Sequence, residues 1–366
     1  VADAADDLDF GDDGDLGDWG DDLDGLGDLD PSASERKAEM AEMAEVGDVG
    51  DFVMPASGKP PAACWVNNSS HAADHMAAGA AATSLQLLNR QIAVSEFSVL
   101  KKNMLNCYMG SMMSVPGIPG GSSLSIPLMR NDASGHPSSN SLPRTPLKMK
   151  DLIAEVRNGY RFFQGGKFND SRASFAKALT LIPLIVTENR NESGEMKEML
   201  TVCREYITAI RIKGAFSEAA ANPVRATELS AYFTHCNLQP VHLLLALRAA
   251  MGTAFKHKNF IVAAGFARRL LELPDMSSER NADLRVKATK VLQKSEQMAR
   301  NEHTLNYDAT KTFSIDCRDF VPIYGAAAVE CSYCGSKYSD SSMANKLCVT
   351  CGISAVGIKT LGLVTG

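Results

Sequence analysis

The sequence predicts a mainly α-helical protein: an antiparallel helical bundle of tetratricopeptide-like hairpins, followed by a small β-rich cap at the C-terminal end. Two observations predict it. From Leu147 almost to Asn301, apolar residues recur at helical spacing with only short connections between runs, which makes successive helices antiparallel neighbours. Beyond Asn301 that spacing stops, short Val- and Ile-bearing runs replace it, and Cys331, Cys334, Cys348 and Cys351 fall within 21 residues. A chain of 366 residues, 45% hydrophobic and 22% charged, is long enough for two or three domains and a sizeable core.

Residues 1–51 stand apart. They carry nineteen Asp or Glu against two Lys or Arg, so within a total net charge of −6 the rest of the chain sums to about +11. Asp and Gly form helices and strands poorly and so dense a charge repels itself, so this segment reads as an acidic disordered linker. Leu8, Phe10, Leu16, Trp19, Leu23 and Leu26 punctuate it, which leaves open a second reading, an acidic-apolar motif that docks on a basic partner. No Glu occupies the twelfth-ligand position of an EF-hand, so a calcium loop fits poorly. The first residue is Val, no charged-then-apolar leader follows, and no apolar run approaches eighteen residues. These features predict a piece of a longer chain, begun inside an acidic linker, and argue against a secreted or membrane-spanning protein.

Residues 52–146 read as N-terminal helices followed by a Gly/Pro-rich segment. A turn-rich stretch, Phe52 to Ser70, leads into a helix over His71–Arg90, where Met76, Ala80, Thr83, Leu87 and Leu88 keep helical spacing. A second run, Glu96 to Tyr108, has Phe97, Leu100, Met104 and Leu105 on one side. The Pro-Gly-Gly between Met112–Ile118 and Leu124–Leu128 fits an exposed hairpin and fits a plain long loop equally well.

Residues 147–301 form the bundle. Leu152–Phe163 and Phe168–Ile182 join at Gly165–Gly166 and stop at Pro183. A long helix follows, with Met199, Leu200, Cys203, Ile207 and Ile210 on one face and Lys197, Thr201, Arg204, Thr208 and Arg211 on the other. Then come Pro223–Cys236, Val241–Phe255, Phe260–Leu273 and Ala282–Ala299. There is an internal echo: Phe168, Phe175 and Pro183 recur as Phe260, Phe266 and Pro274 at nearly the same spacing. It fits the second helices of two tetratricopeptide-like hairpins, and it fits two ordinary amphipathic helices nearly as well. Residues 302–366 make the cap, with Phe313, Ile315, Phe320, Val321 and Ile323 suggesting short strands.

Nine cysteines are too few and too uneven for a disulfide scaffold and suit a reducing compartment. Cys331-Ser-Tyr-Cys334-Gly335 and Cys348-Val-Thr-Cys351-Gly352 are two CxxC turns with thirteen residues between Cys334 and Cys348. Each turn presents two thiolates, the following Gly permits a positive φ, and four sulfurs make a tetrahedral zinc site. Four protein thiolates fill the coordination sphere, so the expected zinc is structural. There is no Walker loop, GxGxxG, HExxH or GxSxG, and Asp74 and His75, adjacent on a helix near Ser69, point apart. No catalytic residue and no small-molecule substrate is expected. A zinc ribbon in a basic context raises an alternative, a nucleic-acid-binding module; against it, the basic residues are dispersed and lack an aromatic stripe.

Five strings have no simpler compositional explanation: CWVNNSSHAADHMAAGAAATSLQLLNRQ, TVCREYITAIRI, AYFTHCNLQPVHLLLALRAAM, NFIVAAGFARRLLEL and LNYDATKTF followed by PIY. In order and spacing, over about residues 52–366, the chain resembles the C-terminal region of the coatomer α-subunit family, and the acidic segment resembles that family's linker. The resemblance implies a non-enzymatic structural subunit of the COPI vesicle coat, acting in Golgi-to-ER and intra-Golgi transport. It implies a cytoplasmic protein, peripheral on Golgi membranes and coated vesicles, and no nucleic-acid partner. The implied partners are the coatomer ε subunit, itself a tetratricopeptide-type protein that grips this domain, and other coatomer subunits. The family's propellers, which read dilysine cargo tails, are not among these residues, so cargo recognition is not expected here. Many members lack the full CxxC…CxxC pattern, so metal is not indispensable to the family. In the Gly/Pro-rich segment, Met112, Met113, Val115, Ile118, Leu124 and Ile126 are apolar in Gly/Pro-rich surroundings, and they are expected to project into the partner; an ordered loop packed on its own domain fits about as well.

Overall fold

The computed structural model describes residues 59–117, 121–130, 142–325 and 328–365. The acidic segment 1–51 and Ile118, for which the sequence raises expectations, lie outside the described residues.

Proline at a helix's first turn loses no hydrogen bond, and Pro61 opens α1, Pro61–Asn68, in the stretch expected to be turns. Trp65 overrides the local signal: it is fully buried, clustered with Ala77 and Met129. The single helix expected over His71–Arg90 is two, α2 at Ala72–Ala77 and α3 at Ala81–Ile92. The break falls at Gly79, whose φ of +77° is strained for any side chain, and a Cβ there would meet the Tyr108 ring at 3.4 Å. After a 3₁₀ turn at Ser98–Leu100 comes α4, Lys101–Gly110. Leu100 and Met104 are buried as expected, whereas Leu105 turns outward. The Gly/Pro-rich segment forms the hairpin rather than the loop: β1, Met112–Val115, pairs antiparallel with β2, Leu124–Pro127.

The bundle follows as α5 (Met149–Gln164), α6 (Phe168–Leu181), α7 (Arg190–Glu218), α8 (Pro223–Phe233), α9 (Pro240–Lys256), α10 (Phe260–Leu271) and α11 (Ala282–Met298). Each helix packs mainly on its neighbours in sequence, the arrangement of stacked hairpins. Polar caps set several starts. The Asp151 carboxylate accepts the Lys148 N–H, Asn189 accepts the Glu192 N–H, and Asn222 accepts those of Val224 and Arg225 ahead of Pro223.

The internal echo is geometric. The α5–α6 turn closes with Gly166 N–H donating to Phe163 O and Lys167 N–H to Phe162 O; the α9–α10 turn closes with Lys258 N–H to Phe255 O and Asn259 N–H to Ala254 O. Both pivots are left-handed, Gly166 at φ +69° and Lys258 at +57°. In each hairpin the last phenylalanine of the first helix meets the first residue of the second edge-on at 5.4 Å, Phe163 with Phe168 and Phe255 with Phe260. Tightness is enforced at Gly159, where a Cβ would lie 2.7 Å from the Phe175 ring.

One buried cluster joins Leu88 and Ile92 of α3 through Phe163, Phe175 and Tyr206 to Tyr338 and Val356 of the cap. A second, with Met251, Phe255, Phe266 and Val291, holds α9, α10 and α11 together. The cap contains two short antiparallel pairs, β3 (Ser314–Ile315) with β4 (Pro322–Ile323) and β5 (Val329–Glu330) with β6 (Lys337–Tyr338). Among the described residues, no helix is long and apolar enough to cross a membrane.

Candidate metal centre and docking ribbon

Each CxxC turn is a tight knuckle. Gly335 N–H donates to Cys331 O and Gly352 N–H to Cys348 O, both at 2.9 Å, with φ of +72° and +65° at the two glycines. The knuckles face one another, Sγ of Cys331 3.9 Å from Cys351 and Sγ of Cys334 3.6 Å from Cys348, and all four sulfurs lie within 4.8 Å and are buried. A tetrahedron of sulfurs at zinc–sulfur distance has an edge of about 3.8 Å. All nine cysteines are free thiols. Hydrogen bonds from Cys331, Cys334 and Cys351, aided by Tyr338, hold the Cys348 thiol far below the ordinary range. The neighbouring thiols and burial push Cys334 and Cys351 well above it. Four cysteine sulfurs this close could hold a metal ion, whose charge would offset their repulsion as thiolates.

The polar face of α7 carries the cap rather than facing solvent. Arg204 Nη1 donates to Cys334 O at 3.5 Å and Gly335 O at 3.3 Å, Thr208 Oγ1 lies 3.7 Å from Cys317 Sγ, and Arg211 donates to Cys317 O and stacks over Phe320. Tyr333 Oη donates to Leu179 O of α6 at 2.6 Å. On the far edge, Ala355 N–H donates to Ala93 O and Ser95 N–H to Ile353 O. The four cysteines thus sit where α3, α6 and α7 are tied together.

In the β1–β2 ribbon, Met113 pairs with Ile126 and Val115 with Leu124, so alternation puts these four on one face. Leu124 is 63% exposed and Met113 46%; Val115 and Ile126 are half-buried. Met112 belongs to the other face and packs against the Trp65 cluster. Four of the six residues expected to project share an apolar face, Met112 instead anchors the ribbon, and Ile118 lies outside the described residues.

A family profile for the C-terminus of the coatomer (COPI) alpha subunit matches residues 2–366. The chain belongs to this coatomer α family. Relatives include coatomer subunit alpha-1 of Arabidopsis thaliana, 35% identical over 86% of this chain, and coatomer subunit alpha of Dictyostelium discoideum, 36% identical over 85%. The Saccharomyces cerevisiae coatomer subunit alpha is 31% identical over 82%. The chain spans about a quarter of the length of these relatives, 25% in each case.

Spacing in this coatomer chain left several residues unmarked and placed Leu105 on the side of the buried Leu100 and Met104. Met109 (64% exposed), Leu105 and Tyr108 form an outward apolar stripe on α4 next to β1; its i, i+3, i+4 period is indistinguishable from that of a core face. Ser336 and Tyr338, whose hydroxyls approach Cys334 and Cys348 Sγ at 3.2 and 3.1 Å, carry no motif. Asp74, His75 and Ser69 do come together, but as structure. Ser69 Oγ donates to Asp74 Oδ2, Arg130 pairs with the same carboxylate, and the His75 ring lies between Ser69 O and Thr83 Oγ1.

Proposed function

We propose that this chain is the C-terminal scaffold of a COPI coat α subunit, gripped by the ε subunit, and that it acts without catalysis in Golgi-to-ER and intra-Golgi transport. The observation that carries the reading is the ribbon's apolar face of Met113, Val115, Leu124 and Ile126, on which Met113 and Leu124 are exposed while Met112 anchors the ribbon. An exposed apolar ribbon suits the concave surface of a helical-repeat partner. Contacts of permanent assemblies bury more than ~2,000 Å², and the α4 stripe beside β1 extends the available surface. Membership of a coatomer family supports contacts with other coatomer subunits and a cytoplasmic place, peripheral on Golgi membranes and coated vesicles.

In this reading the chain divides into an acidic linker (1–51), a ribbon-bearing N-terminal part (52–146), a helical bundle (147–301) and a cap (302–366). We assign zinc to Cys331, Cys334, Cys348 and Cys351: an all-sulfur donor set, buried and with two sulfur–sulfur distances near the tetrahedral edge, suits that ion and leaves no open position. Titration calorimetry with the ε subunit tests the interface. Met113→Asp with Leu124→Asp is expected to weaken binding by at least about tenfold with an unchanged melting temperature. Unaltered affinity removes the ribbon from the interface, and absence of binding by the unsubstituted chain removes the reading.

A further inference from the structure

A dication held by four thiolates leaves a buried unit of net charge −2. Such a charge is costly in a protein interior unless hydrogen-bond donors meet it. The cap supplies one side-chain hydroxyl to a cysteine of each knuckle: Ser336 Oγ lies 3.2 Å from Cys334 Sγ and Tyr338 Oη 3.1 Å from Cys348 Sγ. Ser336 and Tyr338 are buried. The Tyr338 hydroxyl faces the Cys348 sulfur, with the Thr350 hydroxyl as its other neighbour.

Both residues follow from the strand pairing. Val329 pairs with Tyr338 and Glu330 with Lys337, and Ser336 O accepts the Cys331 N–H at 2.9 Å. β6 is thereby held against the first knuckle in a register that aims residues 336 and 338, on one face, at the sulfurs. Guanidinium groups from α7 add positive charge at the periphery, Arg204 on the carbonyls of Cys334 and Gly335 and Arg211 on that of Cys317.

We propose that Tyr338 and Ser336 are positioning residues for the metal, their hydroxyls donating to the Cys348 and Cys334 thiolates and so retaining the ion in the cap. The inference rests on the assignment of zinc above. Neither residue is a ligand; each lowers the electron density on a coordinating sulfur and offsets the charge of the loaded cluster.

The test uses the full chain, its zinc content measured first, with release followed by a chromogenic chelator and the cobalt(II)-substituted protein examined by absorption. Tyr338→Phe is expected to speed zinc release about 10- to 100-fold and to move the sulfur-to-cobalt charge-transfer band to lower energy. Ser336→Ala is expected to do the same to a smaller degree, and it serves should the first variant not fold. Tyr333→Phe is the control, since it loses a buried hydroxyl that bonds Leu179 O and not sulfur; its band should stay in place. Zinc bound one per chain with unmoved bands and release rates in both variants overturns the positioning role. A chain purified without zinc that binds neither zinc nor cobalt overturns the metal assignment itself.

Discussion

The imidazole of His242 lies in the bundle core, Nδ1 2.7 Å from the Tyr206 hydroxyl and its ring against Phe163 and Tyr160. Burial lowers its pKa to about 4. Between that value and the ordinary 6.5 the unfolded chain holds a proton that the folded chain does not, so stability falls as pH drops through this window. The loss from this group is on the order of 2–3 kcal/mol by pH 4. Urea unfolding at pH 7 and pH 4.5 should show a larger loss for the native chain than for His242→Gln; equal losses would locate the acid sensitivity elsewhere. Seven scattered histidines carried no hint of this in the sequence, because a histidine's environment is set by rings arriving from other helices. Asp74 teaches the same outside the bundle: it is buried, and the arginine that pairs with it stands 56 positions away in the sequence.

Hairpin turns are where local chemistry is most legible. Gly165–Gly166 marked one turn correctly, and the corresponding Lys258 hides the other, since lysine gives no sign of a left-handed pivot. The two can be exchanged in kind. Gly166→Ala should destabilise by about 1 kcal/mol and Lys258→Gly should stabilise by a similar amount, read from denaturant midpoints at constant slope. Two changes of the same sign would mean that the turns are not equivalent. The β1–β2 ribbon was undecided between hairpin and loop because turn residues serve both. What decides is a contact beyond the segment, Met112 on the Trp65 cluster. Trp65 likewise converts a stretch of expected turns into α1, burial outweighing propensity.

Across the molecule, the cap is a clasp. It takes hydrogen bonds from α7, gives one to α6 through Tyr333 and shares backbone bonds with residues 93–95 beyond α3, so loss of the cysteine knot should loosen elements far apart in sequence. Removing the proposed zinc with a strong chelator, or Cys331→Ser, is expected to lower the melting temperature by about 10 °C. Protease sites near residues 93–95 should open, and zinc should restore the chelated chain but not the variant. An unchanged melting curve would show that packing alone holds the clasp. The sequence by itself determined the order of the bundle helices and the placing of four cysteines on two turns, because spacing over a few residues controls both. Only the tertiary structure decided that the Arg204–Thr208–Arg211 face carries the cap, that Leu105 turns outward and that Trp65 lies buried on a helix. Burial depends on which distant surfaces meet, and local periodicity contains no record of that.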